Sequence, residues 1–182
     1  MNEETQVKNE LAKNILDWIL VILFAMVFAF LFSRFVIVNA SVPTSSMEGT
    51  IRGGDRIIAF RLAYILSEPD TYDIIIFRGP DDDTTLYVKR IIGVGGDVVN
   101  IVDGQVFING SEEPQRDDFV FSESGCNFGP FYVPEGYFFV LGDNRGNSVD
   151  SRRWENIYVR RNQILGRVIF RYFPGFQNLA NT

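Results

Sequence analysis

A long apolar run near the N-terminus is the feature that most limits how this chain can fold. From residue 15 to residue 38 the chain is apolar apart from Asp17, Ser33 and Arg34, and residues 18–33 carry no charge. A helix needs about 20 residues to cross a bilayer, so the run is long enough if Asp17 and Arg34 lie at the two interfaces. We therefore predict an uncleaved transmembrane anchor over residues 15–38.

The residues that flank this run do not determine its orientation. Residues 1–14 are polar and mixed in charge, and we predict a short solvated tail. Lys8 and Lys13 precede the run and several arginines follow it, so the positive charges do not favour export of the following domain. A cleaved signal peptide is the alternative, since Ala40 is a small residue. We favour the anchor because the run exceeds the usual apolar region of roughly 7–15 residues and the tail is not basic.

Composition excludes several classes of function for the rest of the chain. The sequence contains no histidine, so neither a Ser-His-Asp site nor a Cys-His site can form. The net charge of −6 leaves no basic patch for phosphates, which argues against a nucleic-acid partner. The single cysteine, Cys126, cannot form an internal disulfide, and we predict it to be a small apolar filler. No metal-ligand spacing is present, so we predict no metal and no cofactor.

Beyond residue 50 the sequence shows little helical periodicity and is predicted to be mostly β. Short apolar segments alternate with turns rich in glycine and aspartate, which is typical of antiparallel strands. Asp103 and Gly104 predict a two-residue hairpin, and residues 117–128 predict an irregular loop. The predicted strands are residues 56–60, 73–77, 86–94, 98–102, 105–108, 132–133, 137–141 and 164–172. We expect one β-rich domain over residues 39–182.

The distribution of lysine suggests a chemical role for one residue. The chain has three lysines and fourteen arginines, and only Lys89 lies beyond the apolar run. Adjacent strand residues point to opposite faces, so one of Lys89 and Arg90 must face inward. If Lys89 faces inward, burial lowers its pKa. A pKa near 8 requires that the surroundings disfavour the charged form over the neutral form by roughly 3 kcal/mol. Such a lysine can act as a general base, whereas a lysine at the strand edge would simply extend its amine to solvent.

Two polar segments could supply partners for Lys89. Residues 44–50 carry four hydroxyl side chains shortly after the apolar run, and residues 142–152 combine hydroxyl, carboxylate and guanidinium groups. Each segment alone fits an ordinary polar loop, although the second can form a fixed hydrogen-bonded network. Together with Lys89 they offer a nucleophile, a base and orienting groups, which is the logic of a catalytic triad without histidine.

These segments make the chain resemble the bacterial type I signal peptidases, which are membrane-bound Ser/Lys endopeptidases. The family motif S-M-x-P-T corresponds to Ser46–Thr50, with Gly49 in place of the usual proline. The base motif corresponds to residues 87–93, followed by glycine and aspartate. The motif G-D-N-R-x-x-S-x-D-S-R is complete over residues 142–152, whereas the strand R-G-D-I-V-V-F is only partly kept over residues 72–77. The resemblance runs from the anchor to near the C-terminus.

The resemblance implies a fold and a set of roles. The fold would be one transmembrane helix followed by an all-β catalytic domain. Ser46 would be the nucleophile and Lys89 the general base, with Thr44 donating to the oxyanion beside the Ser46 N–H group. The remaining implied roles belong to Ser148, which would orient the lysine amine, and to Asp150 and Arg152, which would pair to hold the loop.

The resemblance also implies substrates and a location. Family members cut presequences after small residues at the first and third positions before the bond, and bind the peptide as an added strand. The expected substrate-binding residues are Ser45, Met47, Tyr87 and Val88. The implied partners are preprotein signal peptides, membrane lipid and the secretion translocase. The implied location is the plasma membrane, with a single pass, a cytoplasmic tail and an extracytoplasmic catalytic domain.

The length of the tether is consistent with this location. Eight residue steps separate Val38 from Ser46, and they span at most about 26–29 Å. A nucleophile at Ser46 would therefore work near the bilayer surface, where a membrane-anchored presequence presents its bond. Two alternatives are a self-cleaving Ser/Lys protease of the SOS-repressor type and a catalytically silent β-domain that binds a partner. The anchor and the lack of a DNA-binding region disfavour the first, and the presence of both Ser46 and Lys89 disfavours the second.

Overall fold

The computed structural model of the chain describes residues 3–65, 67–122 and 125–180. Two compact units are distinguished by their internal contacts, Met1–Val36 and Ile37–Thr182. The first contains a single helix and the second contains the strands.

The helix of the first unit, α1, spans Glu3–Phe35. Within the described residues, its segment Lys13–Phe35 is long and apolar enough to cross a membrane and is not buried in protein, although a signal sequence would satisfy the same criteria. The helix begins inside the predicted tail and ends before residue 38. Ile37 and Val38, which we assigned to the anchor, belong instead to the first strand of the second unit.

The second unit is mostly β, as predicted. Its described strands are β1 (Ile37–Ser41), β2 (Arg56–Phe60), β3 (Ile74–Arg78), β4 (Leu86–Gly93), β5 (Val98–Val102), β6 (Gln105–Ile108), β7 (Phe128–Tyr132), β8 (Tyr137–Leu141), β9 (Val159–Arg160), β10 (Ile164–Phe173) and β11 (Gln177–Asn178). Four predicted strands, now β2, β5, β6 and β8, are confirmed at their predicted bounds. The strand predicted at residues 132–133 lies earlier, as β7, and β1, β9 and β11 were not predicted.

The hairpin between β5 and β6 is confirmed. Val102 pairs with Gln105, and the two turn residues, Asp103 and Gly104, have φ values of 50° and 86°. Positive φ at both central residues defines the tight turn that matches the twist of the flanking strands.

The strands form two antiparallel sheets, and two strands of the larger sheet, β1 and the first half of β4, have unpaired edges in the described structure. The larger sheet has the order β1-β2-β10-β3-β4-β8-β9, with β11 beside β10, and the smaller has the order β6-β5-β7. Strand β4 pairs with β3 from Leu86 to Arg90, but its pairing with β8 begins only at Arg90. Within the described part of the chain, residues 86–89 therefore have a strand partner on one side only. The same holds for β1, which pairs only with β2.

The apolar core fixes the segment between β1 and β2. Met47 and Ile51 are fully buried and belong to the cluster that contains Ile57 and Ala59 of β2. Burial of a side chain of this size typically contributes about 1.5–3 kcal/mol. The segment around Ser46 is therefore held by the core rather than free in solvent. Cys126, in contrast, is exposed, so our prediction of an apolar filler was wrong.

Candidate active site

Ser46 lies in a tight turn, residues 44–50, which we call the Ser46 turn. The N–H groups of Thr50 and Ile51 donate to the Met47 carbonyl at 3.1 and 2.7 Å, and they close the turn around the buried Met47 side chain. The Ser46 carbonyl accepts a hydrogen bond from the Asn144 N–H at 3.1 Å. The Ser46 side chain is itself nearly buried, with 9% of the residue exposed.

Lys89 of β4 lies beside this serine. Its Nζ atom is 2.5 Å from Oγ of Ser46, and only 2% of the residue is exposed. Burial lowers the pKa of Lys89 from 10.5 to about 8, although the carboxylates of Asp150 and Asp143 act in the opposite direction. The amine can therefore lose its proton on the alkaline side of neutrality while it contacts a hydroxyl.

Thr44 begins the same turn. Its Oγ1 atom lies 3.4 Å from Oγ of Ser46, at the limit of a hydrogen bond in which either hydroxyl could donate. Thr44 is exposed, whereas Ser46 is nearly buried. A hydroxyl donor at residue 44 is thus next to the serine oxygen, on its solvent side.

Ser148 is also buried close to the predicted site, but without the predicted contact. The residue is 2% exposed, and its Oγ atom has no hydrogen-bond partner of good geometry in the described structure. The hydroxyl lies near enough to the Asp150 carboxylate to help lower the pKa of that group. A buried hydroxyl without a well-formed hydrogen bond typically costs about 1–3 kcal/mol, so its position calls for an explanation. Within the described structure, Ser148 makes no hydrogen bond to the Lys89 amine.

Asp150 and Arg152 form a buried pair. The Arg152 Nε and Nη2 atoms donate to the two Asp150 carboxylate oxygens at 2.8 Å each. Arg152 also donates to the Arg145 carbonyl at 2.9 Å. Burial alone would raise the pKa of Asp150, but the hydrogen bonds and positive charge of Arg152 outweigh it and hold that pKa below its ordinary value. The Gly142 N–H also donates to Asp150, so the carboxylate holds the loop by its backbone as well.

A second buried pair, which the sequence analysis did not identify, lies beside the first. The Arg90 Nε and Nη2 atoms donate to the Asp143 carboxylate at 2.9 and 2.7 Å, and both side chains are fully buried. Thr50 of the Ser46 turn donates to the same carboxylate at 2.6 Å. The pair therefore connects β4 to the end of the Ser46 turn. One signal could have revealed it, since Arg90 lies in an apolar strand that should not contain an unpaired charge.

The free strand edges border a cleft of about 730 Å³ next to Ser46 and Lys89. The cleft is lined by residues 40–46 on one side and residues 85–89 on the other, together with Ile76, Asn147 and Val149. Three of the predicted substrate-binding residues, Ser45, Tyr87 and Val88, line it. Met47 does not, because its side chain is buried in the core, so we correct its assignment to a structural residue. Sequence reasoning missed Asn147, whose side-chain amide donates to Oγ of Ser45 at 3.0 Å.

The serine hydroxyl is hydrogen-bonded to a buried lysine, and both residues lie at a cleft in a β-domain. This arrangement is typical of serine peptidases that work without histidine. Comparison with known proteins agrees with this class. The family model described as "Signal peptidase, peptidase S26" matches residues 15–173 of this chain. The chain belongs to this signal peptidase family.

Individual relatives cover the chain to different extents. It is 34% identical over 187 residues to a signal peptidase I of Bacillus licheniformis, with 98% of this chain and 99% of that protein covered. It is 38% identical over 141 residues to the probable thylakoidal processing peptidase 2, chloroplastic, of Arabidopsis thaliana. That match covers 74% of this chain and 37% of the relative, so the chain spans little more than a third of the plant protein. A crystal structure of a signal peptidase I from Enterococcus faecalis V583 is 29% identical with a TM-score of 0.48, and covers 56% of this chain and 97% of that one.

Proposed function

We propose that this chain is a membrane-anchored serine endopeptidase that removes N-terminal signal peptides from exported preproteins. Ser46 is the nucleophile and Lys89 is the general base. The observation that supports this most directly is the 2.5 Å approach of the buried Lys89 amine to the Ser46 hydroxyl. The depressed pKa of about 8 leaves roughly a tenth of Lys89 neutral at pH 7, against less than a thousandth for an unshifted lysine.

The reaction follows from this pair. Neutral Lys89 takes the proton of Ser46 as Oγ attacks the peptide carbonyl, and the Ser46 N–H and the Thr44 hydroxyl stabilise the resulting oxyanion. The protonated Lys89 then gives its proton to the leaving amine, and an acyl ester on Ser46 remains. A water molecule, deprotonated by Lys89, attacks this ester, and return of the proton to Ser46 releases the acid product.

Three other side chains support the pair. The Ser148 hydroxyl, buried without a well-formed hydrogen bond, is available to hold the amine once Lys89 turns toward substrate. Asp150 and Arg152 neutralise each other and fix the loop that carries Ser148. The negative charge of Asp150 raises the pKa of Lys89, and the positive charge of Arg152 lowers it. Arg152 therefore offsets part of the effect of Asp150 on the lysine.

The substrate binds as an added strand between the two free edges. Among the described residues, the backbone groups of β1 and of residues 86–89 have no strand partner on the cleft side, and an extended peptide can pair with both. Side chains in a strand alternate between faces, so the first and third residues before the scissile bond share one face. Ser45, Tyr87 and Val88 line the cleft, but adjacent strand residues point to opposite faces, so Ser45 and one of these two β4 side chains would border that face, which favours small residues at both positions.

The apolar helix supports membrane anchoring by a single pass. We place residues 1–14 in the cytoplasm and the β-domain outside, in the plasma membrane, where membrane lipid and the secretion translocase would be partners. The segment from the end of α1 at Phe35 to Ser46 is short, which favours substrates presented at the same bilayer. Protease added to intact spheroplasts should digest the β-domain. Protection of the β-domain until lysis would contradict this topology.

The function is tested with the full chain purified in detergent and a preprotein carrying a signal peptide. We expect one cleavage, with the N-terminal sequence of the product beginning after a small residue. Ser46→Ala should abolish it, whereas the matched variant Ser45→Ala should retain it. An unmodified protein that binds the preprotein but leaves it intact would instead support a silent binding module.

A further inference from the structure

Gly49 has a backbone conformation that excludes proline and leaves little room for a side chain toward residues 119–121. Its φ is +102°, whereas a proline ring fixes φ near −65°. A Cβ atom at this position would lie 3.0 Å from Cβ of Phe121 and 3.4 Å from the Phe119 carbonyl oxygen. Residues 119–122, which we call the brace, therefore pack against the Ser46 turn where a side chain would otherwise project.

The brace is held by the buried pair behind the site. The Arg90 guanidinium lies over the Phe119 ring at 4.1 Å from its centroid. The Phe121 N–H donates to the Asp143 carbonyl at 2.9 Å. The brace is therefore fixed by a ring contact and a hydrogen bond to two residues that are themselves fully buried, Arg90 and Asp143.

A second contact connects the brace to the carbonyl groups around Ser46. The Ser122 hydroxyl donates to Oδ1 of Asn144 at 2.5 Å, which directs the amide NH₂ of Asn144 to the other side. That NH₂ group donates to the Ser45 carbonyl at 3.1 Å, and the Asn144 N–H donates to the Ser46 carbonyl at 3.1 Å. Ser122 thus fixes the amide orientation that holds the backbone on both sides of the Ser46 α-carbon.

We infer that the brace is a positioning device for the Ser46 hydroxyl and that Gly49 is the residue that allows it to dock. This inference rests on the proposed function. Neither Gly49 nor any brace residue lines the cleft among the described residues, so the brace acts through Ser45 and Ser46 and not on the substrate. A displacement of about 1 Å in a reacting group can lower turnover by ~10²-fold, so small shifts of the turn are measurable.

The primary test compares two glycine substitutions. Gly49→Ala should lower kcat about 10- to 100-fold with a smaller change in KM, because the Ser46 hydroxyl moves while the cleft wall of residues 85–89 stays in place. Gly54→Ala is the matched control, since Gly54 has a similar φ of +94° but a Cβ atom there would meet no heavy atom within 4 Å. The control should keep kcat within about twofold. The alkaline limb of the pH profile should be the same in both variants, because neither replaces the charged groups near Lys89, which are Asp143, Asp150 and Arg152.

Rescue separates positioning from general damage. The double variant Gly49→Ala/Phe121→Gly removes the clashing Cβ and should regain at least about tenfold in kcat. Ser122→Ala should lower kcat about three- to tenfold on its own. If circular dichroism shows that Gly49→Ala is unfolded, the kcat of Ser122→Ala is the deciding measurement.

Two results would contradict the positioning role of the brace. One is an equal kcat for Gly49→Ala and Gly54→Ala, and the other, when Gly49→Ala is unfolded, is an unchanged kcat for Ser122→Ala. Absence of cleavage by the unmodified protein would refute the proposed function itself.

Discussion

Lys89 and Arg90 are consecutive residues of β4, and both side chains are buried, with 2% and 0% of each residue exposed. The Lys89 amine contacts the Ser46 hydroxyl, whereas the Arg90 guanidinium is paired with Asp143. Lysine can lose its proton near pH 8, but arginine keeps its charge throughout the working range. Strand β4 therefore buries two adjacent cations of different kinds. Lys89 can become neutral, whereas Arg90 stays charged and needs a counter-ion.

The pair of Arg90 and Asp143 should be essential for stability. Asp143→Asn leaves the Arg90 charge buried without a counter-ion and should lower the free energy of unfolding by about 3–5 kcal/mol. Asp118→Asn is the matched control, because the pair of Asp118 and Arg116 is largely exposed and should contribute no more than about 1 kcal/mol. Chemical denaturation followed by tryptophan fluorescence measures both. Similar losses in the two variants would contradict the assignment.

Lys89→Arg should abolish cleavage while it keeps the positive charge. A guanidinium cannot give up its proton, so it cannot serve as a base for Ser46. In the unmodified protein, initial rates on one preprotein should rise with pH through the lysine pKa of about 8. Folding of the variant is checked by circular dichroism. A folded Lys89→Arg protein with substantial activity, or a rate that rises near pH 6.5, would end the Ser/Lys mechanism.

The same depressed pKa predicts a stability effect that does not depend on activity. Lys89 has a lower pKa in the folded state, about 8, than its ordinary value of 10.5, so its charge opposes folding below pH 8. This opposition amounts to about 3 kcal/mol at pH 7, decreases between pH 8 and 10.5, and is absent above. Lys89→Met should therefore raise the free energy of unfolding at pH 7 and change it little at pH 10.5. An equal effect at both pH values would show that the pKa is not depressed.

Ser148→Ala should lower turnover without lowering the free energy of unfolding. Its hydroxyl has no well-formed hydrogen bond, so removal should leave the free energy of unfolding unchanged or higher. Turnover should nevertheless fall by tens to thousands of fold if the hydroxyl orients Lys89 during reaction, in line with the ~10²–10⁴ contribution of a positioned base. Ser151→Ala is the control, because that hydroxyl accepts the Val140 N–H and not a group of the site. Unchanged kinetics would leave Ser148 as a turn residue.

Thr44 should be replaceable by another hydroxyl but not by an isostere. Thr44→Ser keeps an oxygen near Ser46 and should remain active, whereas Thr44→Val should lose about 10²–10³ in kcat. The loss should fall on kcat more than on KM, because the proposed contact strengthens in the transition state. Steady-state kinetics on one preprotein measure the split. Equal kcat for the two variants would remove Thr44 from the site.

The sequence predicted local features well and long-range pairs less well. The hairpin at Asp103 and Gly104 follows from the turn residues themselves. Lys89 could be singled out because the chain lacks histidine and has one lysine beyond the apolar run, whereas the choice of Ser46 over Ser45 came from the motif that resembles the family. The pair of Arg90 and Asp143 joins residues far apart in the chain, so the apolar strand shows that Arg90 needs a counter-ion but not which residue supplies it.

Strand β1 was missed for a related reason. Ile37 and Val38 continue the apolar run, and only their pairing with Phe60 and Ala59 of β2 distinguishes a strand from the end of a helix. Hydrophobicity alone gave no signal for the boundary. The same limit applies to β9 and β11, whose two-residue lengths are too short for a periodic pattern.

The unpaired edge of β1 also has a consequence for the protein when no peptide is bound. Unpaired backbone N–H and C=O groups at a sheet edge can template pairing with another copy, which makes such edges aggregation-prone. Strand β1 is only five residues long, and the chain after it continues into the Ser46 turn, which is held by the core. Both features limit the length over which two copies could pair. A non-hydrolysable strand-shaped peptide would occupy the edge and should reduce self-association of the protein in detergent. We therefore expect the unpaired edge of β1 to promote self-association, which a bound extended peptide would prevent.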